Sequence, residues 1–91
     1  MKLLFFSSIH CHPCEVFKPI FAAVIDELEL RADYIYREED RKNNDFGKYF
    51  VTSIPTIVAL NNEGKACWSH TGSMTRAEIR TKLIELKEIY E

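Results

Sequence analysis

Residues 2–6, near the head of the chain, form a short apolar run without alternation and read as the first strand. Successive side chains of a strand point to opposite faces, so a strand wetted on one side alternates apolar and polar residues. A run without alternation suits a strand covered on both faces, as in a sheet layered between helices. The next segment has a different period. Phe17, Ile20, Phe21, Val24, Ile25 and Leu28 recur at three- and four-residue intervals and form one stripe of a long amphipathic helix. Pro19 lies inside that stripe and is expected to kink the helix, because it lacks an N–H and crowds the preceding turn.

Further along, Ala32 to Tyr36 reads as a second strand, and Glu38 to Asn44 as a charged connection into a short helix ending near Tyr49. Thr56 to Leu60 is the clearest strand. The turn Asn61-Asn62-Glu63-Gly64 closes it, and Lys65 to His70 returns antiparallel as a hairpin. Thr75 with Glu78 three residues on makes a capping box, and Ile79, Leu83, Leu86 and Tyr90 give the last helix its buried stripe. The order is β-α-β-α-β-β-α. The expected class is α/β, with a parallel β-α-β opening, an antiparallel closing hairpin, and helices on both faces of one four-stranded mixed sheet. Phe5, Phe6, Phe17, Phe21, Tyr34 and Phe46 are expected in the core, and Arg37 to Lys42 in a solvated loop.

With 91 residues there is room for one domain, spanning 1–91. A net charge of -2 leaves no electrostatic footprint for nucleic acid or an anionic membrane. No apolar run approaches the ~20 residues a membrane span needs. Met1 to Phe6 imitates a signal peptide, but its apolar stretch stops at Ser7-Ser8. A cytoplasmic monomer is expected. Three cysteines, an odd count, argue against a disulfide-stapled secreted scaffold. Cys11 and Cys14 are separated by two residues and Cys67 lies far away; in a reducing compartment such a pair signals redox chemistry, metal binding or coincidence.

Placement gives the pair its chemistry. Cys11-His12-Pro13-Cys14 falls directly after the first strand and at the start of the long helix. The reactive form of cysteine is the thiolate, and the first turn of a helix offers unpaired N–H groups and a partial positive charge. Cys11, at the mouth of the helix, is expected to be exposed and acidified. Cys14, one turn in, is expected to be more covered and within disulfide reach. Pro13 suits a first turn, where its missing donor costs nothing. Cys11 would attack a substrate disulfide, and Cys14 would then attack the Cys11 sulfur and release reduced substrate. The redox-active Cys11–Cys14 disulfide is the only redox group expected, with no bound cofactor and no metal.

The chain resembles the thioredoxin family, in a short, glutaredoxin-sized form. Four separated features carry the resemblance, which covers essentially the whole chain: Cys11-His-Pro-Cys14 with Pro19 five residues later, Thr52-Ser-Ile-Pro55-Thr56, Asn62-Glu-Gly64, and Gly72 before the final helix. The resemblance implies the thioredoxin fold and dithiol–disulfide exchange with protein disulfides, supplied by a thioredoxin-reductase-like or other dithiol reductant. It also implies a cis Ile54-Pro55 bond beside the cysteine pair, with the Ile54 backbone free to pair with an extended substrate segment and Gly72 on the same recognition surface.

Departures from the family pattern fall near the cysteines. His10 stands where thioredoxins usually have Trp, His12 where they have Gly, and Glu15 where they have Lys. The buried acid of the central strand would fall at Phe5, so another proton acceptor for Cys14 is required: His10, His12, Glu15 or water. A protonated His12 would favour the thiolate and make the pair more oxidising, with Glu15 opposing it.

Other functions are read from the same residues. Cys67 and His70 would complete a Cys₃His zinc set with Cys11 and Cys14, but positions three apart on a strand face opposite ways. A glutathione-dependent glutaredoxin usually carries paired glycines and an acid before the last helix, and Thr71-Gly72-Ser-Met-Thr-Arg76 lacks the second glycine and the acid. A non-catalytic binding module would have no need of a cysteine pair opening a helix. Cys67 itself is expected to pack as a small apolar residue beside a partly buried Trp68.

Overall fold

The computed structural model describes residues 1–91. The opening apolar run forms β1 (Lys2–Ser7), followed by α1 (His12–Glu27), β2 (Arg31–Tyr36), a single 3-10 turn (Arg37–Glu39), α2 (Asp45–Lys48), β3 (Thr56–Leu60), β4 (Ala66–Thr71) and α3 (Arg76–Tyr90). The sheet order is β2-β1-β3-β4. β1 runs parallel to β2, with Phe5 opposite Tyr34, and antiparallel to β3, with Phe5 opposite Ile57. β3 and β4 form the antiparallel hairpin.

The missing alternation in β1 has the expected cause. Leu3 and Phe5 point into a large core with Phe17, Phe21, Val24 and Ile25 of α1 and Ile79, Leu83 and Leu86 of α3. Leu4 and Phe6 point the other way, into a smaller cluster with Val58 and Leu60, covered by Phe46 and Tyr49 around α2. Both faces of the strand are thereby dry. The Phe5 ring lies 5.7 Å from Phe17 and 5.0 Å from Phe21, and burying each such side chain stabilises the fold by about 1.5–3 kcal/mol. Tyr34 and Phe46 are half-buried rather than central.

Local signals set the element ends. Pro19 is exposed on α1, and the helix runs on through it without a break. α1 stops where Glu29 adopts φ 54° and the Leu30 amide reaches back to the Ile25 carbonyl at 3.0 Å, closing the last turn. The capping box opening α3 is complete: Thr75 Oγ1 accepts the Glu78 amide at 3.1 Å, and the Glu78 carboxylate accepts the Thr75 amide at 2.9 Å.

Two expectations need correction. β4 carries a register shift: Trp68 pairs with Ala59, but Ala66 pairs with Leu60, leaving Cys67 as the extra residue. Strict alternation fails there, and Cys67 and Trp68 both pack against the large core. The opposite-face objection to Cys67 and His70 acting together therefore does not hold. Instead, the Cys67 thiol lies 3.4 Å from the Ala59 carbonyl, and His70 stacks on Trp68 at 6.2 Å. The charge run at 37–42 is also more than a solvated loop. Asp40 accepts the Asp45 and Phe46 amides at 2.8 Å each, ordering the start of α2, and Glu38 reaches the loop that follows β1.

Candidate active site

β1 ends at Ser7, and three residues carry the chain to Cys11, which caps α1. Cys11 has extended backbone angles (φ −110°, ψ 103°), and its Sγ accepts the Cys14 amide at 3.2 Å. The sulfur thus occupies the place a serine or aspartate oxygen takes at other helix starts, against an N–H group with no partner inside the helix. Cys11 and Cys14 are disulfide-bonded, with Cα atoms 5.3 Å apart. Cys14 is 2% exposed, whereas Cys11 is half-exposed. A reagent arriving from solvent meets the outer sulfur first.

The loop before Cys11 is tied down from the side. Ser8 Oγ donates to the Glu38 carboxylate at 2.5 Å, and the Ile9 amide donates to its other oxygen at 3.0 Å. The His10 amide donates to Ser8 Oγ at 3.2 Å, and the Cys11 amide to the Ser8 carbonyl at 3.2 Å. The Ser8 hydroxyl and then the Ile9 amide hold the Glu38 carboxyl below the usual carboxylate range. His10 and His12 are exposed, as is Pro13 in the first turn of α1.

Sheet register brings a second group to the same end. Phe6 pairs with Thr56, so continuing the ladder sets Pro55 beside Ser7, where the cysteine loop begins. Pro55 is buried and follows a cis peptide bond from the half-buried Ile54. The Gly72 amide donates to the Pro55 carbonyl at 2.8 Å, and Gly72 has φ 103°, a conformation that favours glycine. Thr56 Oγ1 donates to the Ser53 carbonyl at 2.6 Å, fixing the approach to β3. Cys67, between the residues paired with Ala59 and Leu60 and hence toward the Lys2 end of β1, lies at the other end of the sheet. No group of three or more His, Cys, Asp or Glu side chains is gathered for a metal ion.

An open cleft beside the disulfide is lined by Cys11, Cys14, Ser7, Glu15, Lys18 and Tyr36, among others. Ser7, Lys18, Tyr36 and Glu38 were not marked by the sequence. Only Lys18 carried a usable signal, its i,i+4 spacing from Cys14. Phe5 is fully buried against Phe17, Phe21 and Tyr34, so no carboxylate sits there. Burial, then the charges of Asp26 and Tyr36, push the Tyr34 hydroxyl up.

A family model described as Thioredoxin matches residues 1–85. The chain belongs to the thioredoxin family. It is similar to the thioredoxins of Staphylococcus epidermidis and Staphylococcus aureus, 27% identical over 62 residues, a stretch covering 68% of this chain and 60% of the length of those relatives. Among solved structures, thioredoxin 1 of Thermosipho africanus superposes with a TM-score of 0.82 at 18% identity, over 98% of this chain and 97% of that one. Fasciola hepatica thioredoxin gives 0.74 at 25% identity, over 99% and 80%. The thioredoxin fold, a four-stranded mixed sheet with three helices, is therefore established for the chain.

Proposed function

We propose that this thioredoxin-family chain is a dithiol–disulfide oxidoreductase acting on protein disulfides through Cys11 and Cys14. The Cys11 thiolate attacks one sulfur of a substrate disulfide; a Cys11–substrate bond forms, the substrate S–S bond breaks, and the leaving sulfur takes a proton. Cys14 then attacks Cys11 Sγ, re-forming the internal bridge and releasing the second substrate sulfur as a thiol. The observation that carries this is the Cys11 sulfur itself, half-exposed, capping α1 and accepting the Cys14 amide while Cys14 is buried. When the bridge opens, the same N–H and helix terminus stabilise a thiolate on the outer sulfur.

In this reading the Ile54 backbone pairs with an extended substrate segment across Pro55, and Gly72 flanks it. His10, His12 and Pro13 border the attacking sulfur and tune it. The chain works as a single domain and a monomer in a reducing cytoplasm, with no resident cofactor. Its reductant is a flavin-dependent thioredoxin reductase or another protein dithiol rather than glutathione, because residues 71–76 lack the paired glycine and acid of glutathione users.

The deciding experiment titrates thiol reactivity against pH in wild type, Cys11→Ser and Cys14→Ser. One fast, acidic thiol is expected, absent only from Cys11→Ser, and Cys14→Ser should trap a mixed disulfide with a protein substrate. Two cysteines as slow as free cysteine, and unable to bridge, would end this reading.

A further inference from the structure

The exchange needs a thiolate on Cys14 at its second step, yet Cys14 is 2% exposed. Forming an anion in so buried a place is opposed by lost hydration unless a positive charge or donor stands close by. Phe5, an apolar side chain, offers neither. The wall of the cleft supplies two polar groups instead. Lys18 follows Cys14 by four residues, so the two lie one turn apart on one face of α1, and both line the cleft. The ammonium is held in place. It donates to the Tyr36 hydroxyl at 2.5 Å and lies 5.0 and 4.9 Å from the ring centroids of Tyr34 and Tyr36. Ser7, at the end of β1, is 2% exposed, and its Oγ has no hydrogen-bond partner. Buried hydroxyls without partners are uncommon, and this residue lines the same cleft.

Resting on the dithiol chemistry above, we infer that Lys18 is a positioning charge for the resolving step: Tyr36 and Tyr34 hold its ammonium where, with the Ser7 hydroxyl, it stabilises the Cys14 thiolate. In the mixed disulfide Cys14 releases its proton to water in the cleft. Its sulfur electron pair then forms the bond to Cys11. The bond from Cys11 to the substrate sulfur breaks, and that sulfur leaves with the electron pair and takes a proton from water. The charge matters more to Cys14 than to Cys11 because of burial: Cys14 is 2% exposed, whereas Cys11 is half-exposed and already accepts the Cys14 amide.

The other ionisable groups around Lys18 are few. Glu15 of the same helix lines the cleft and opposes the cation. His10 and His12 stand exposed at the mouth, Glu38 is engaged by Ser8 and Ile9, and Asp26 acts on Tyr34. The charged contacts of α3 with α1, Arg76 and Arg80 on Glu27, lie at the far end of the helix.

The test reacts the reduced full chain, carrying Cys67→Ser, with a chromogenic aryl disulfide that releases a coloured thiolate, followed by stopped flow across the neutral pH range. The first coloured equivalent reports attack by Cys11, and the second reports displacement by Cys14. Lys18→Met is expected to raise the pH midpoint of the second step by about one unit and to slow it about tenfold at neutral pH, leaving the first step within about twofold. Lys18→Arg should restore the wild-type midpoint, and Tyr36→Phe, which keeps the ring but frees the ammonium, should move it the same way by less. A folded Lys18→Met with the wild-type second-step profile, or with both steps shifted equally, overturns the inference. Should Lys18→Met fail to fold, a Tyr36→Phe profile unchanged from wild type overturns it as well. A wild-type chain that never releases the second equivalent overturns the dithiol reading itself, and the role of Lys18 with it.

Discussion

The Glu38 carboxylate accepts the Ser8 hydroxyl at 2.5 Å across a gap of thirty residues. Together with its bond to the Ile9 amide, this makes the 3-10 turn after β2 a clamp on the loop that delivers Cys11 to the helix start. Rigid delivery matters because the capping geometry at Cys11 depends on where that loop ends.

Glu38→Gln should loosen the clamp. The folded-state carboxyl titrates below its ordinary range, so the ionised form is the one the loop binds. Its contribution is fully present above the ordinary carboxylate range and is lost as pH falls through the lowered folded value. At neutral pH the Gln variant should therefore show severalfold lower hydrogen-exchange protection at the Ile9 amide. Unchanged protection would show that the clamp carries no weight.

His12→Gly should lower the reduction potential of the Cys11–Cys14 pair. An imidazolium beside the outer sulfur would favour the reduced, thiolate-bearing form, so removing the side chain should make the protein more reducing. A fall of about 10–30 mV is expected, measured by equilibration against a redox buffer. An unchanged or raised potential would reassign His12 to a solvated surface position.

Leu83→Ala should cost about 2–5 kcal/mol in denaturant unfolding, because Leu83 is fully buried between α3 and the sheet. Ile89, on the same helix but 64% exposed, is the control. Ile89→Ala should fall within about 0.5 kcal/mol of wild type. Equal costs at the two positions would contradict the packing described for α3.

Much of the fold was legible because its signals are local. Thr56–Leu60 coincides with the strand read from the sequence, and the Thr75–Glu78 capping box needs only four adjacent residues. β1 runs one residue further than expected, to Ser7. β4 starts and ends one residue later than expected, because Lys65 closes the turn on Asn61 and Thr71 still pairs with Thr56, and nothing in Ala66-Cys67-Trp68 announces the bulge within it. At the site, the cysteine pair was readable from its position at a strand-to-helix junction, and the cis Ile54-Pro55 bond only through family resemblance. Glu38 and Asp40 were hidden inside a charge run, since their partners lie elsewhere in the chain or depend on how the turn closes. For Lys18 the sequence shows only its i,i+4 spacing from Cys14, and the two tyrosines beside its ammonium come from β2. Phe50, which the sequence reading does not place in the core, stands 88% exposed at φ 57°.

β1 has a hydrogen-bonded neighbour on each side and leads straight into the cysteine loop. Breathing motions fray edges before middles, so the inner sulfur is guarded by the portion of the molecule that should surrender last. In urea, alkylation of Cys14 in the reduced protein should switch on only with the collapse of the circular dichroism signal, at a shared midpoint. Labelling of Cys11 should proceed in the intact protein, which makes one sulfur a gauge of the whole architecture and the other a gauge of the solvent.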